Sequence, residues 1–223
     1  MNNEIQHLSK YDDDGDNHQF YNAQTPLKTN AFVLSDEQKI EQITFHFKEI
    51  MEILGLDLND DSLQGTPHRF AKMYVKELFH GLNPANKPSI SIFENHYQYS
   101  KLLIEKNISF SSCCEHHFLP IIGKAHVAYK SSGKIIGLSK INRIVKYYAA
   151  RPQVQERLTM QIAHDLMEIL DTKDVFVIIE AAHLCVSMRG VKDQNSQTVT
   201  VFYDGVFNDE KNRTELHALI SQQ

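Results

Sequence analysis

The sequence predicts an α+β protein with an antiparallel sheet, and three observations carry that prediction. Capped helical patterns fill the stretch from about residue 34 to residue 100. From about residue 101 the character changes to short β-rich runs bounded by Gly, Ser, Asp or Asn. A pair of further helical patterns is inserted among those runs. Helices first, then hairpins with helices between them, is the order expected of α+β chains.

Residues 1–33 are polar, carry the acidic cluster Asp12, Asp13, Asp14 and Asp16, and show no sustained apolar period, so they read as a mobile tail. Order begins at Ser35. Ser35-Asp36-Glu37-Gln38 is a capping box, followed by Ile40, Ile43, Phe47, Ile50, Met51 and Leu54 at three- and four-residue steps up to Gly55. A second helix is expected to open with Thr66 as cap and Pro67 at its first position. It would run through Phe70, Met73, Val75 and Leu78 to Gly81. Asn83, Pro84, Asn86 and Pro88 then make a loop. Strands are predicted over 102–110, 124–130, 175–182 and 198–203. One inserted helix starts at Ser139. The other starts at Pro152 and buries Val154, Leu158, Ile162, Leu166 and Leu170. The organisation is therefore a tail (1–33), a helical region (34–100) and a second domain (101–223).

Composition narrows the function. The chain of 223 residues is 42% hydrophobic, with no unbroken apolar run of membrane-spanning length. A net charge of −5 gives no footprint for nucleic acid or an anionic membrane. The first residues lack the basic and apolar regions of a secretory signal. Three cysteines, two of them adjacent, make no disulfide framework and suit reduced thiols in the cytoplasm.

The chemistry lies in a split constellation, Cys114-Glu115-His116-His117 and His183-Leu184-Cys185. Thiolate and imidazole are ligands zinc prefers, and a catalytic zinc keeps three protein ligands and one open position. Cys114, His117 and Cys185 would form that set, leaving His116 and His183 as proton carriers. Each residue alone reads more simply as a small buried hydrophobe or a satisfied histidine; the joint pattern reads as a metal site. If 175–189 is mostly extended, His183, Cys185, Ser187 and Arg189 share one face. Cys113 would then point away from Cys114, into packing. Ser139, Lys140 and Arg143 open a helix, where backbone N–H groups already favour an anion. Arg69 and Lys72 repeat the three-residue spacing. With Arg189 these cations could collect around a polyphosphate. Gln155 and Glu156 sit in a first helical turn, where a carboxylate either compensates the dipole or accepts hydrogen bonds from a guanine edge.

These segments resemble GTP cyclohydrolase I. The resemblance rests on Cys114-Glu115-His116-His117, on Gly137-Leu138-Ser139-Lys140-Ile141-Asn142-Arg143, and on the run from Arg151 to Thr159. It extends to His183-Leu184-Cys185, Met188-Arg189-Gly190-Val191 and Thr66-Pro67-His68-Arg69. It implies a tunnelling fold, in which antiparallel sheets of several subunits join into a barrel with helices outside, and a decamer of two pentameric rings. The implied reaction converts GTP and water to 7,8-dihydroneopterin triphosphate and formate. On that analogy Zn2+ sits on Cys114, His117 and Cys185, and His116 and His183 are acid–base groups. Glu156 anchors guanine, and Gln155 and Ser139 add polar contacts. Lys140, Arg143 and Arg189 hold the triphosphate, with Arg69 and Lys72 from another subunit. Two departures stand out: Cys113 before the motif cysteine, and Val201-Phe202-Tyr203-Asp204, where small or hydroxyl residues are commoner. The rival readings are another tunnelling-fold enzyme, such as a pterin synthase or nitrile reductase, and an assembly module with a structural zinc.

Overall fold

A computed structural model describes residues 22–131 and 133–221. The acidic cluster and most of the expected tail lie outside the described residues. The described helices are α1 (Asp36–Ile53), α2 (Asp61–Gln64), α3 (Thr66–Met73), α4 (Leu138–Ala149), α5 (Gln155–Leu170), α6 (Leu184–Ser187) and α7 (Glu210–Ser221). The strands are β1 (Ile92–Glu94), β2 (Leu102–Cys114), β3 (Pro120–Lys130), β4 (Lys134–Ile136), β5 (Pro152–Gln153), β6 (Val175–His183) and β7 (Thr198–Tyr203). The architecture is α+β. Five strands run in the order β5-β2-β3-β6-β7, antiparallel except for the short β2–β5 pair, and β1 and β4 form a separate ribbon.

The capping box forms as expected: Gln38 N–H donates to Ser35 Oγ, and Ser35 N–H donates to Gln38 Oε1. The apolar stripe behind it is only partly covered. Ile40 and Met51 are buried and Phe47 stacks on Phe70, whereas Ile50 and Leu54 are exposed. The second helix starts one residue earlier than predicted. Thr66 is its first residue and Gly65 its cap. After Met73 it widens into a π turn (Tyr74–Leu78) and then a 3₁₀ turn (His80–Leu82), instead of running on as α-helix. Gly81 stands at a close approach to the end of α4. A Cβ there would sit 2.0 Å from the Tyr147 carbonyl oxygen, while Gly81 N–H donates to Ala150 O and Arg151 Nε donates to Gly81 O.

Both strands that meet near the cysteines are longer than predicted. β2 continues through Ser111, Ser112, Cys113 and Cys114, and β3 starts at Pro120. Small and polar residues carry little strand propensity, so pairing across the sheet decides here. Pro152 does not open a helix. It pairs with Cys113 in β5, and α5 begins at Gln155. The segment after β6 also differs: the strand ends at His183 and Leu184–Ser187 is a helical turn. Helix α7 had no counterpart in the sequence reading, and Leu216 is its only buried residue.

The main core lies on one face of the sheet. Ile108, Phe110, Ile121, Val127, Tyr129, Val177 and Ile179 meet Ile141 and Ile144 of α4 and Leu158, Ile162 and Leu166 of α5. On the opposite face Phe176, Ile178, Phe207 and Leu216 form a smaller core beneath α7. Strand parity puts Cys114 on the helix-covered face with Ile108 and Phe110, and His183 there with Ile179 and Ala181. Both stand at the same end of the sheet, where α5 begins.

Candidate active site

Cys114 closes β2, and the chain then makes a tight turn through Glu115, His116 and His117. Phe118 N–H donates to Cys114 O at 2.9 Å, and Cys114 N–H donates to Leu119 O at 2.8 Å. Phe118 takes a left-handed conformation (φ 53°), which is uncommon for an aromatic residue and marks the turn as held from outside. Two contacts supply the hold. Glu115 N–H donates to Gln153 O at 3.0 Å, and the Glu115 carboxylate pairs with Arg157 of α5 through both terminal guanidinium nitrogens. The Arg157 side chain is 4% exposed, and its Nε donates to Asn22 O.

The helical turn after His183 brings Cys185 back over the sheet. One ligand atom each from Cys114, His117 and Cys185 then lies within 4.8 Å of the others, and no further Cys, His, Asp or Glu joins the group among the described residues. Cys114 Sγ is 3.6 Å from His116 Nδ1 and 4.0 Å from His117 Nδ1. Burial, and then the neighbouring Cys114, pushes the Cys185 thiol up to about 11. Two soft thiols and an imidazole converging without a fourth protein ligand fit zinc with an open position. Cys113 points to the other side of the strand; it is buried, its thiol pKa is raised by that burial, and it lies near Tyr74.

Arg189 reaches the same place by a route the sequence reading did not anticipate. Its Nη1 donates to His117 Nε2 at 2.6 Å. The predicted common face depended on an extended chain. In the structure, residues four apart share a side because the segment from Leu184 is helical. His183 Nε2 lies 2.7 Å from Gln155 Oε1, and its pKa is lowered by burial, with Glu156 acting in the opposite sense. Gln155 is 2% exposed and its amide is engaged inside the protein. Glu156, one residue on, is exposed. It lines a cavity of about 480 Å³ with Tyr148, Arg157 and His164. An adjoining cavity of about 400 Å³ includes Glu115, His116 and Phe118.

The remaining cations stand elsewhere in the chain. Asn142 of α4 bonds to Glu105 of β2, nine residues from Cys114. At about 1.5 Å per helical residue to the end of α4, and three further residues before Gln153 beside Cys114, that end of α4 lies roughly 20 Å from the cysteines. Ser139, Lys140 and Arg143 belong to that distant end, Ser139 and Arg143 exposed and Lys140 partly so. Arg69 and Lys72 are exposed on α3, and Arg69 donates to Ser62 O and Thr66 Oγ1. The Glu115–Arg157 pair went unread in the sequence. Its partners are separated by 42 positions, and no periodicity links them.

The family model of GTP cyclohydrolase I matches residues 43–221. A protein named GTP cyclohydrolase 1 from Flavobacterium johnsoniae is 57% identical over 204 residues, covering 92% of each chain. Proteins of the same name from Aeromonas hydrophila and Vibrio parahaemolyticus are 54% and 51% identical. They cover 84% and 88% of this chain, and 85% and 90% of their own.

Proposed function

Because the chain belongs to the GTP cyclohydrolase I family and so serves the first step of pterin and folate biosynthesis, we propose a division of labour among its residues for that reaction. GTP and water become 7,8-dihydroneopterin triphosphate and formate. The convergence of Cys114, His117 and Cys185 carries the reading. Zinc held there would supply the Lewis acidity that makes water nucleophilic near neutral pH.

His116 stands beside the ligand set and would exchange a proton with the purine nitrogens while carbon 8 becomes tetrahedral. His183 would deliver a proton to the ribose ring oxygen, opening the sugar for rearrangement and closure onto the freed amine. Glu156 at the start of α5 is exposed beside a cavity, where its carboxylate can accept from the amino and ring N–H groups of guanine. Arg189, Lys140 and Arg143 would clamp the triphosphate with Ser139, Arg69 and Lys72, fixing the reacting carbon against the histidines.

The family is oligomeric, and two features support a decamer of two pentamers in which one chain lends its cations to the next. Lys140 and Arg143 stand on α4 toward the far end of β2 from their own cysteines. Among the described residues strand β7 pairs only with β6, and Val199, Val201 and Tyr203 are exposed along it; an edge of this kind accepts a neighbour. Residues 1–33, 34–100 and 101–223 would serve as tail, helical region and catalytic domain. Free thiols as ligands suit the cytoplasm. Among the described residues no helix is long and apolar enough to cross a membrane.

The test is to give GTP to the purified protein, with and without a zinc chelator, and to follow formate and oxidised pterin. Both products should form, vanish together on chelation and return with zinc. Absence of both from zinc-loaded, assembled protein would overturn the reading.

A further inference from the structure

We propose that Gln155 is a positioning residue that fixes which nitrogen His183 offers to a bound molecule. The inference rests on the reading of His183 given above and on a hydrogen-bond network that fixes which end of the Gln155 amide faces the ring. Thr159 Oγ1 donates its single proton to the Gln155 backbone carbonyl at 2.9 Å. The 2.7 Å contact between Thr159 and Thr200 hydroxyls must then run from Thr200 to Thr159. That leaves the lone pairs of Thr200 Oγ1 to accept from Gln155 Nε2 at 3.1 Å.

The same amide nitrogen reaches the carbonyl oxygens of Ile179, at 3.0 Å, and Thr198, at 2.9 Å, so its two protons are shared among three acceptors. Carbonyls only accept, so the amide cannot be reversed without setting oxygen against oxygen in a site 2% exposed. Gln155 Oε1 is therefore the atom that faces His183 Nε2 at 2.7 Å. An amide oxygen cannot donate, so His183 must carry its proton on Nε2. Nδ1 is left as the nitrogen for exchange with substrate. Gln155 belongs to the first turn of α5, and Ile179 and Thr198 to neighbouring strands β6 and β7, so three elements set one ring. Sequence reading placed Gln155 against the substrate; the geometry assigns it to the histidine instead.

Two measurements test this on the zinc-loaded full chain. Solid-state ¹⁵N spectra of histidine-labelled protein, with His183 identified by its loss in His183→Ala, should show the proton on Nε2. In Gln155→Met that preference should disappear. Pterin formation should fall by on the order of tenfold to hundredfold, the scale on which a displaced catalytic group costs rate. Zinc content should stay unchanged and purine opening should persist. Gln155→Glu, which keeps an oxygen for the ring but sets another against the Ile179 and Thr198 carbonyls, should not recover the loss.

Should the Met variant fail to assemble, the ring-nitrogen spectrum of the parent chain decides alone. A proton found on Nδ1, or a Gln155→Met enzyme with unchanged pterin formation, would overturn the proposal. The role of His183 itself is judged separately. If His183→Ala stops purine opening as well, that role falls, while the ring nitrogen spectrum still decides for or against Gln155.

Discussion

The Glu115–Arg157 pair shows how a single residue can matter to a site it does not enter. Arg157 holds the carboxylate of the turn that carries His116 and His117, and it also ties Asn22 to α5. Replacing Arg157 with Met leaves Glu115 partly buried and without its cation, which should cost about 3 kcal/mol. Thermal unfolding should show the loss, and turnover should fall with it. Adding Glu115→Gln to the Met variant should restore part of the stability, because the uncompensated charge is then gone. If the single variant melts like the parent, the pair does not hold the turn. At this scale residue type was informative: two cysteines and a histidine with metal-ligand chemistry did converge. What the sequence hid was partnership. Nothing local tells Glu115 that Arg157 will face it, or Gln155 that His183 will.

Among elements, β3 carries a residue at odds with its surroundings. His126 is 2% exposed, and neither ring nitrogen has a hydrogen-bond partner among the described residues. Burial, then Lys124 and Lys106, lowers its pKa, while Glu180 acts in the opposite sense. The folded chain therefore resists protonation at this position more than the unfolded chain does. Stability from this group is intact above about pH 6.5, the ordinary histidine value. It is lost as pH falls from there through the lowered folded value. A series of melting curves from pH 7.5 to 5 should decline at the acid end, and His126→Leu should flatten that decline. The variant should also gain about 1–2 kcal/mol near neutrality by removing buried unpaired nitrogens. An unchanged acid slope would show that His126 is not its source. Element existence was mostly legible because periodicity survives context. Element ends were not: β2 gained four residues through pairing, and Pro152 became a strand because Cys113 lay beside it. Helix α7 escaped notice because one buried leucine makes no pattern.

At the scale of the whole molecule, the α4 cations Lys140 and Arg143 and the metal ligands sit toward opposite ends of β2, joined to the fold by Glu105–Asn142 at one end and Cys113–Pro152 at the other. On the proposed reading a chain by itself would hold two half-sites and no whole one. Cys185→Ser and Lys140→Ala should each abolish activity when prepared alone. Co-refolding equal amounts should restore it in about a quarter of the sites, if copies join at random in a closed ring and each site draws on two of them. No recovery on mixing would place both halves of a site in one chain. The same arithmetic reaches inheritance. In a cell carrying two differently damaged copies of the gene, the defects could partly mask each other. A single damaged copy beside a sound one would spoil sites its own chain only borders, yet the loss would equal its share of the protein, because each chain lends that half to one site.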